Sequence, residues 1–189
     1  GYVLLGLMIE RATGSSYRSY VAEHVFAPAG RERSGFFRMA VVEPDVAEGV
    51  EAIEGEDGGI AGWHRNIYSY PPVGGPDGGA HVTARDLLRF HRAVRDGRLL
   101  GPALTAELLS PKVRHSARGT GSHLMGFGFE FETDADEAVR CYWKEGVNVG
   151  VSGILRHYPA QDVTAAVLAV GEKAAWGPIR AIDEAVMRA

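Results

Sequence analysis

The 189-residue chain has a single cysteine, Cys141, which rules out a disulfide within the chain and a cysteine-built metal cage. No apolar run approaches the ~20 residues of a membrane span. Basic residues number 20 against 24 acidic ones, and the arginines are scattered instead of lining one stripe, so nucleic acid is not the expected partner. Hydrophobic residues make up 46% and charged residues 23%, which excludes a disordered or fibrous chain. The seven histidines contain no H-E-x-x-H and no close pair on one strand, so no metal is expected. Gly119–Leu124 lacks the last glycine of a dinucleotide fingerprint and no Walker lysine follows any glycine loop, so no cofactor is expected either. Gly150-Val151-Ser152-Gly153-Ile154 misses the final position of the nucleophile elbow and lies between strands, which makes Ser152 a strand serine. The first residue is Gly1 instead of Met, read as a processing, cloning or numbering boundary. The compartment stays open: the absence of disulfides leans toward the cytoplasm without deciding it.

What is present reads as α+β. Tyr2–Ala12 is apolar almost all round, which predicts a helix buried on most sides, stopped by Thr13-Gly14. Ser15 or Ser16 caps a second helix on which Tyr17, Tyr20, Val21, His24 and Val25 recur at helical spacing up to Pro28. Residues 34–79 are rich in Gly, Pro and acidic side chains, and predict long loops with one or two short strands. Thr83 with Asp86 resembles a capping box ahead of Leu87, Leu88, Phe90 and Val94, with Gly97 closing that helix. A short helix follows Pro102. The period then changes to two: Phe127, Phe129 and Phe131 alternate with polar residues, and Val139–Glu145, Val151–Tyr158 and Val163–Val170 complete a four-strand antiparallel meander. Pro178 opens a terminal helix. Residues 1–115 are thus mainly helices and loops, and residues 122–189 antiparallel strands plus one helix.

Three segments in order resemble one family. Gly1-Tyr2-Val3-Leu4-Leu5-Gly6 through Thr13-Gly14-Ser15-Ser16-Tyr17 and Val25-Phe26-Ala27-Pro28 is similar to the helical stretch after the Tyr-x-Asn motif of serine β-lactamase-related proteins. Those proteins include class C β-lactamases, D-alanyl-D-alanine peptidases and esterases. Gly78-Gly79 through Thr83, Asp86-Leu87 and Arg89-Phe90 resembles the family's next helix start, and Lys144-Glu145-Gly146 its Lys-Thr/Ser-Gly strand. The resemblance implies a β-lactamase/transpeptidase-like fold, here incomplete, because no serine has a lysine three residues on and no Tyr-x-Asn occurs. The nearest imitation is Cys141-x-x-Lys144, on a strand where the family has a helix. By spacing, the tyrosine motif would end just before Gly1, so the chain reads as the C-terminal part of a single larger domain.

The resemblance also assigns a site. Lys144 would stand on the sheet's edge strand facing the nucleophile, where a cation favours a deprotonated tyrosine or a substrate carboxylate; a solvent-facing strand lysine is the alternative. Gly146 would let substrate approach, the Val147 N–H would form half of an oxyanion hole, and Asn148 after it is a further expected substrate-binding residue. Glu145 replaces a Thr or Ser; facing the cleft it would disfavour anionic substrates and favour a neutral ester or amide, whereas strand alternation could turn it to solvent. Tyr68 and Tyr70, with Trp63 and His64, could line a pocket or pin a loop to the core. Trp143 and Trp176 are expected core anchors, and Asp86 and Arg89 a cap and a bridging charge.

Two functions follow. In one, the chain is part of a serine hydrolase that cleaves an ester, amide or β-lactam through an acyl-enzyme, and is inactive in isolation. In the other, it is a non-catalytic ligand- or protein-binding module on the same scaffold. In a lone C-terminal part Leu4, Leu5, Met8 and Ile9 would lack cover, which predicts self-association.

Overall fold

The computed structural model describes residues 1–188. Helix α1 (Tyr2–Thr13) ends where Gly14 adopts a left-handed φ of 70° and its N–H returns to the Glu10 carbonyl. The Ser16 side chain accepts from the Ser19 N–H and starts α2 (Tyr17–Val21), which runs on as a π-helical turn, Ala22–Phe26. A two-stranded antiparallel hairpin, β1 (Val50–Glu54) and β2 (Ile60–Arg65), precedes a 3-10 turn at Asn66–Tyr68. Thr83 caps α3 (Ala84–Arg95) by accepting from the Asp86 N–H, and Pro102 opens α4 (Pro102–Leu108). Six strands follow as a plain antiparallel meander: β3 (Val113–Arg118), β4 (Gly121–Met125), β5 (Glu130–Thr133), β6 (Val139–Asn148), β7 (Val151–Tyr158) and β8 (Val163–Val170). Helix α5 (Trp176–Arg188) closes the described chain.

The sheet is the middle of three layers. Alternate β6 residues separate its faces: Cys141 and Trp143 join Ile154, Tyr158 and Ile179 under α5, while Tyr142 joins Phe129, Phe131 and Leu155 under Leu87 and Phe90 of α3 and Leu108 of α4. Trp143 and the half-buried Trp176 are the core anchors expected of them. On the α5 side, Asp183 accepts from the Arg156 guanidinium (2.6 Å) and from the Tyr158 hydroxyl.

The meander has six strands instead of four. β3 is exposed along its whole length, so nothing imposes a hydrophobic period on Val113–Arg118, and β4 is only five residues long. Phe127 lies in the turn before β5 and is exposed; Phe129 directly precedes the strand and Phe131 lies within it, and both are buried. A second correction concerns α1. Its apolar surface is not buried on most sides: only Gly6 is buried, seated where a Cβ would overlap the Pro76 ring, and Tyr2, Val3, Leu4, Leu5, Leu7 and Met8 are all at least half exposed. The described residues cover only part of that surface.

Asp86 is more than a cap. It is 1% exposed and accepts from the Arg33 N–H (3.0 Å), the Ser34 hydroxyl (2.7 Å), the Glu32 N–H (3.4 Å) and Arg89 (3.2 Å), pinning the loop after α2 to the start of α3. Burial pushes its carboxyl up, but the hydrogen bonds from Ser34, Arg33, Glu32 and Arg89 outweigh it and hold the group below the ordinary carboxylate range. The two borders of the sheet also differ. β3 carries Arg114 and Arg118, charges that deter pairing with another strand, whereas β8 has no charged residue and no proline.

Candidate functional site

The site predicted from Lys144 onward lies on β6, which is an internal strand over its first half only. Its pairing with β5 ends at Trp143, opposite Glu130, while its pairing with β7 continues to Asn148, opposite Val151. Lys144–Asn148 therefore has a partner on one side and an open border on the other, a refinement of the edge position expected for Lys144.

Which peptide groups face that border follows from the ladder. The Gly171 N–H donates to the Gly150 carbonyl (2.7 Å), so Gly150 is directed at β8 and the next residue, Val151, at β6. Its partner Asn148 is then directed at β7, as are Gly146 and Lys144 in the unbroken register, and the N–H and C=O groups of Glu145 and Val147 point the other way. Among the described residues, neither pair of groups has a backbone partner there.

Side chains alternate across the same segment. Lys144 pairs with Leu155 and shares the α3 face; it is exposed, with its Nζ 5.9 Å from the centre of the Tyr2 ring on α1. Glu145 pairs with Ile154 and therefore shares the α5 face, away from Lys144. Of the two orientations open to Glu145, the register selects the one turned from Lys144. Above Gly146 a Cβ would meet no atom within 4 Å, so the strand is bare at that point. The exposed Asn148 side chain accepts from the Val149 N–H (2.8 Å) and shapes the turn into β7.

Tyr68 ends the 3-10 turn at Asn66–Tyr68 and Tyr70 follows it two residues on. Tyr68 is 94% exposed. Tyr70 is half-buried, its hydroxyl sealed without a partner among the described residues and its pKa raised by burial. Trp63 is exposed, and His64 pairs with Glu51 (3.0 Å). A depression of about 280 Å³ between Arg18, Phe26, Ser34 and Phe36, and another of about 120 Å³ between Val3, Glu10, Tyr17 and Pro76, involve none of the expected site residues. Cys141 lies on the face opposite Lys144 in the α5 core, where burial pushes its thiol up to about 11, so the Cys141-x-x-Lys144 spacing forms no reactive pair. Ser152 is buried; its hydroxyl donates to the Gly171 carbonyl (2.7 Å) and accepts from the Ala175 N–H (3.1 Å), which is a structural role.

Asn66 is the residue the sequence did not announce. It is buried at the foot of the β1–β2 hairpin, donates from Nδ2 to the Val149 carbonyl (2.7 Å), and takes the Gly49 carbonyl on its own N–H (3.1 Å). Beside it the Val50 backbone lies where a Cβ on Gly150 would be, and Gly150 has a φ of 75°. The hairpin thus clamps the turn that ends the open segment. Asn66 and Val149 are 83 positions apart, and no local spacing marks the pair. No cluster among the described residues could hold a metal ion, and no helix among them is long and apolar enough to cross a membrane.

The architecture and the sequence both have counterparts. A penicillin-binding protein from Bacillus halodurans superposes with a TM-score of 0.87 at 32% identity, over 97% of this chain and 54% of that one. An octameric penicillin-binding protein homologue from Pyrococcus abyssi gives 0.74 at 25% identity, over 90% of this chain and 37% of the other. A D-stereospecific amidohydrolase from Streptomyces shares the fold, with a TM-score of 0.68 at 19% identity over 93% of this chain and 52% of that one. Penicillin-binding protein 4 of Amycolatopsis lactamdurans is 27% identical over 178 residues, 90% of this chain and 46% of the relative. The chain accordingly spans less than half the length of that curated relative. The family model described as Beta-lactamase matches residues 1–184, and the chain belongs to that family.

Proposed function

We propose that these residues form one wall of the acyl-transfer cleft of a serine hydrolase, with the open border of β6 as the substrate-binding edge. The observation that carries the reading is the unpartnered N–H and C=O of Glu145 and Val147, beside the Lys144 ammonium and the bare surface of Gly146. A substrate lying along this border gains main-chain hydrogen bonds, and the Val147 N–H is placed to receive a carbonyl oxygen as charge develops on it. Lys144 adds a positive charge on the α3 face, stabilising an anionic group of the substrate or an ionised hydroxyl of the reacting chain. With Glu145 turned to the α5 face, a carboxylate on the substrate meets no opposing carboxylate there, so amide and β-lactam substrates fit as well as a neutral ester.

The covalent step needs a nucleophile. The 189 residues hold no Ser-x-x-Lys and no Tyr-x-Asn, so the attacking serine comes from polypeptide outside them. The expected result is no covalent labelling of the 189-residue chain by a fluorescent penicillin or a fluorophosphonate, and labelling of a longer polypeptide that carries a Ser-x-x-Lys helix. In that longer form Lys144→Ala should slow labelling by at least tenfold, since a transition-state charge partner contributes about 1.4 kcal/mol or more. Labelling of the 189 residues alone would overturn the assignment of the nucleophile.

Alone, the chain is expected to self-associate. The exposed apolar surface of α1 and the uncharged border of β8 support this, because each of Leu4, Leu5 and Met8 gains roughly 1.5–3 kcal/mol on full burial.

A further inference from the structure

Between α3 and the sheet, an otherwise apolar layer contains four polar side chains from four elements. His91 of α3, Tyr142 of β6 and His157 of β7 are buried, and Thr164 of β8 is half-buried. The Tyr142 hydroxyl is 2.8 Å from His91 Nε2, Thr164 Oγ1 is 3.3 Å from His91 Nδ1, and the same Oγ1 is 2.8 Å from His157 Nδ1. The two imidazoles lie with centroids 4.8 Å apart. No residue of the proposed cleft takes part, although Tyr142 is two positions before Lys144 on the same face of β6.

Counting protons gives these contacts a direction. Each hydroxyl supplies one proton, and each neutral imidazole carries one on either of its nitrogens. If Tyr142 donates to His91 Nε2, His91 carries its proton on Nδ1 and donates to Thr164, and Thr164 donates to His157 Nδ1, leaving the His157 proton on Nε2. In the opposite sense His91 donates to Tyr142, and the buried tyrosine proton has no acceptor among these groups. If Thr164 accepts from both rings, its own proton has no place in the chain. Among these four side chains, only the first arrangement puts both hydroxyl protons and both imidazole lone pairs to use.

A second proton on either ring breaks it. Protonated His91 donates from both nitrogens and can no longer accept from Tyr142; protonated His157 donates from Nδ1 and can no longer accept from Thr164. The added charge would also be buried beside the other imidazole and near Arg95, with Asp162 of the β7–β8 turn, which pairs with Arg95 at 2.6 Å, the acidic group near the cluster.

We propose that His91, Tyr142, Thr164 and His157 form one directed hydrogen-bond chain that latches α3 to the sheet only while both imidazoles are uncharged, so that mild acid loosens the helix behind the strand bearing Lys144. The electrostatics agree. Burial first, then His157 and Arg95, lower the His91 pKa to about 3; burial and Arg95 also lower that of His157, outweighing Asp162 and a hydrogen bond from its ring to the Val163 main chain, which favour the charged form. Unfolded imidazoles take up protons near the ordinary value of 6.5, which the folded ones resist. The stabilisation is therefore complete above that value and is lost progressively as pH falls toward the folded values. For His91 alone the folding equilibrium constant should fall about a hundredfold between pH 7.5 and 4.5.

The latch stands independently of the cleft reading, because its test uses no substrate. Long-range proton–nitrogen NMR of the unmodified protein at pH 7.5 should find His91 neutral with its proton on Nδ1, and His157 neutral with its proton on Nε2. In urea unfolding, the loss of stability between pH 7.5 and 4.5 should be smaller in His91→Gln than in the unmodified protein by a factor approaching that hundredfold. Amide protection in α3, corrected for intrinsic exchange rates, should drop over the same range. A charged imidazole at pH 7.5, a His91 proton on Nε2, or equal acid losses with and without His91 would each overturn the proposal; the NMR result needs no variant to fold.

Discussion

The helices at the two ends of the chain make opposite use of their apolar residues. On α5, Ile179 is buried and Ile182, Val186 and Met187 pack against the same core, while Asp183 locks the helix to Arg156 and Tyr158 of β7. On α1 the apolar residues run all round, and Gly6 against Pro76 is its one buried position. A one-sided stripe specifies a partner on one side, and α5 finds it in the sheet. An all-round apolar helix requires cover on several sides, and the described residues provide little. Hydrophobicity alone shows how much cover a helix needs, but not whether the same stretch of chain supplies it.

The contrast can be broken most severely at α5. Asp183→Ala leaves the mostly buried Arg156 guanidinium without its carboxylate, and should cost about 3–5 kcal/mol in urea unfolding, less in so far as solvent reaches the pair. At α1 the corresponding weak point is its single close approach. A Cβ at Gly6 would fall 2.1 Å from the Pro76 ring, so Gly6→Ala should cost about 1–3 kcal/mol through displacement of the helix or the loop. The smallest stability effect belongs to the exposed surface of α1. Leu4→Gln with Met8→Gln should change unfolding by no more than about 0.5 kcal/mol per site, while shifting sedimentation or light scattering of the isolated chain toward the monomer. A large loss of stability from that pair would mean that α1 is covered after all.

The parts that were legible in the sequence are those governed by local chemistry. Gly14, Ser16, Thr83 and Pro102 each mark a helix boundary because the capping or turning group acts within a few residues of itself. Strands β6 and β7 announced themselves because their residues are buried against the helices, and β8 because it is an unbroken uncharged run between turns. β3 did not, since a fully exposed strand has no burial to print a period of two on its residues. The site divides in the same way. Lys144, Gly146 and Val147 are recognisable as a motif, and the direction of Glu145 needs only the register of one hairpin. Asn66, and the contacts Asp86 makes with the loop after α2, arise from segments brought together by folding, which single-sequence spacing cannot reveal.

The clamp at the end of β6 divides the β1–β2 hairpin into a part that can vary and a part that cannot. Its tip, Gly55–Gly59, is turned to solvent and can lengthen or change composition at little cost. Its root has no spare volume: the Asn66 amide occupies the space a side chain at Gly49 would need, and the Val50 main chain fills the corresponding space at Gly150. Methyl groups introduced at either glycine would pry the hairpin from the β6–β7 turn, and the disturbance would reach Val147 without any change to the motif itself.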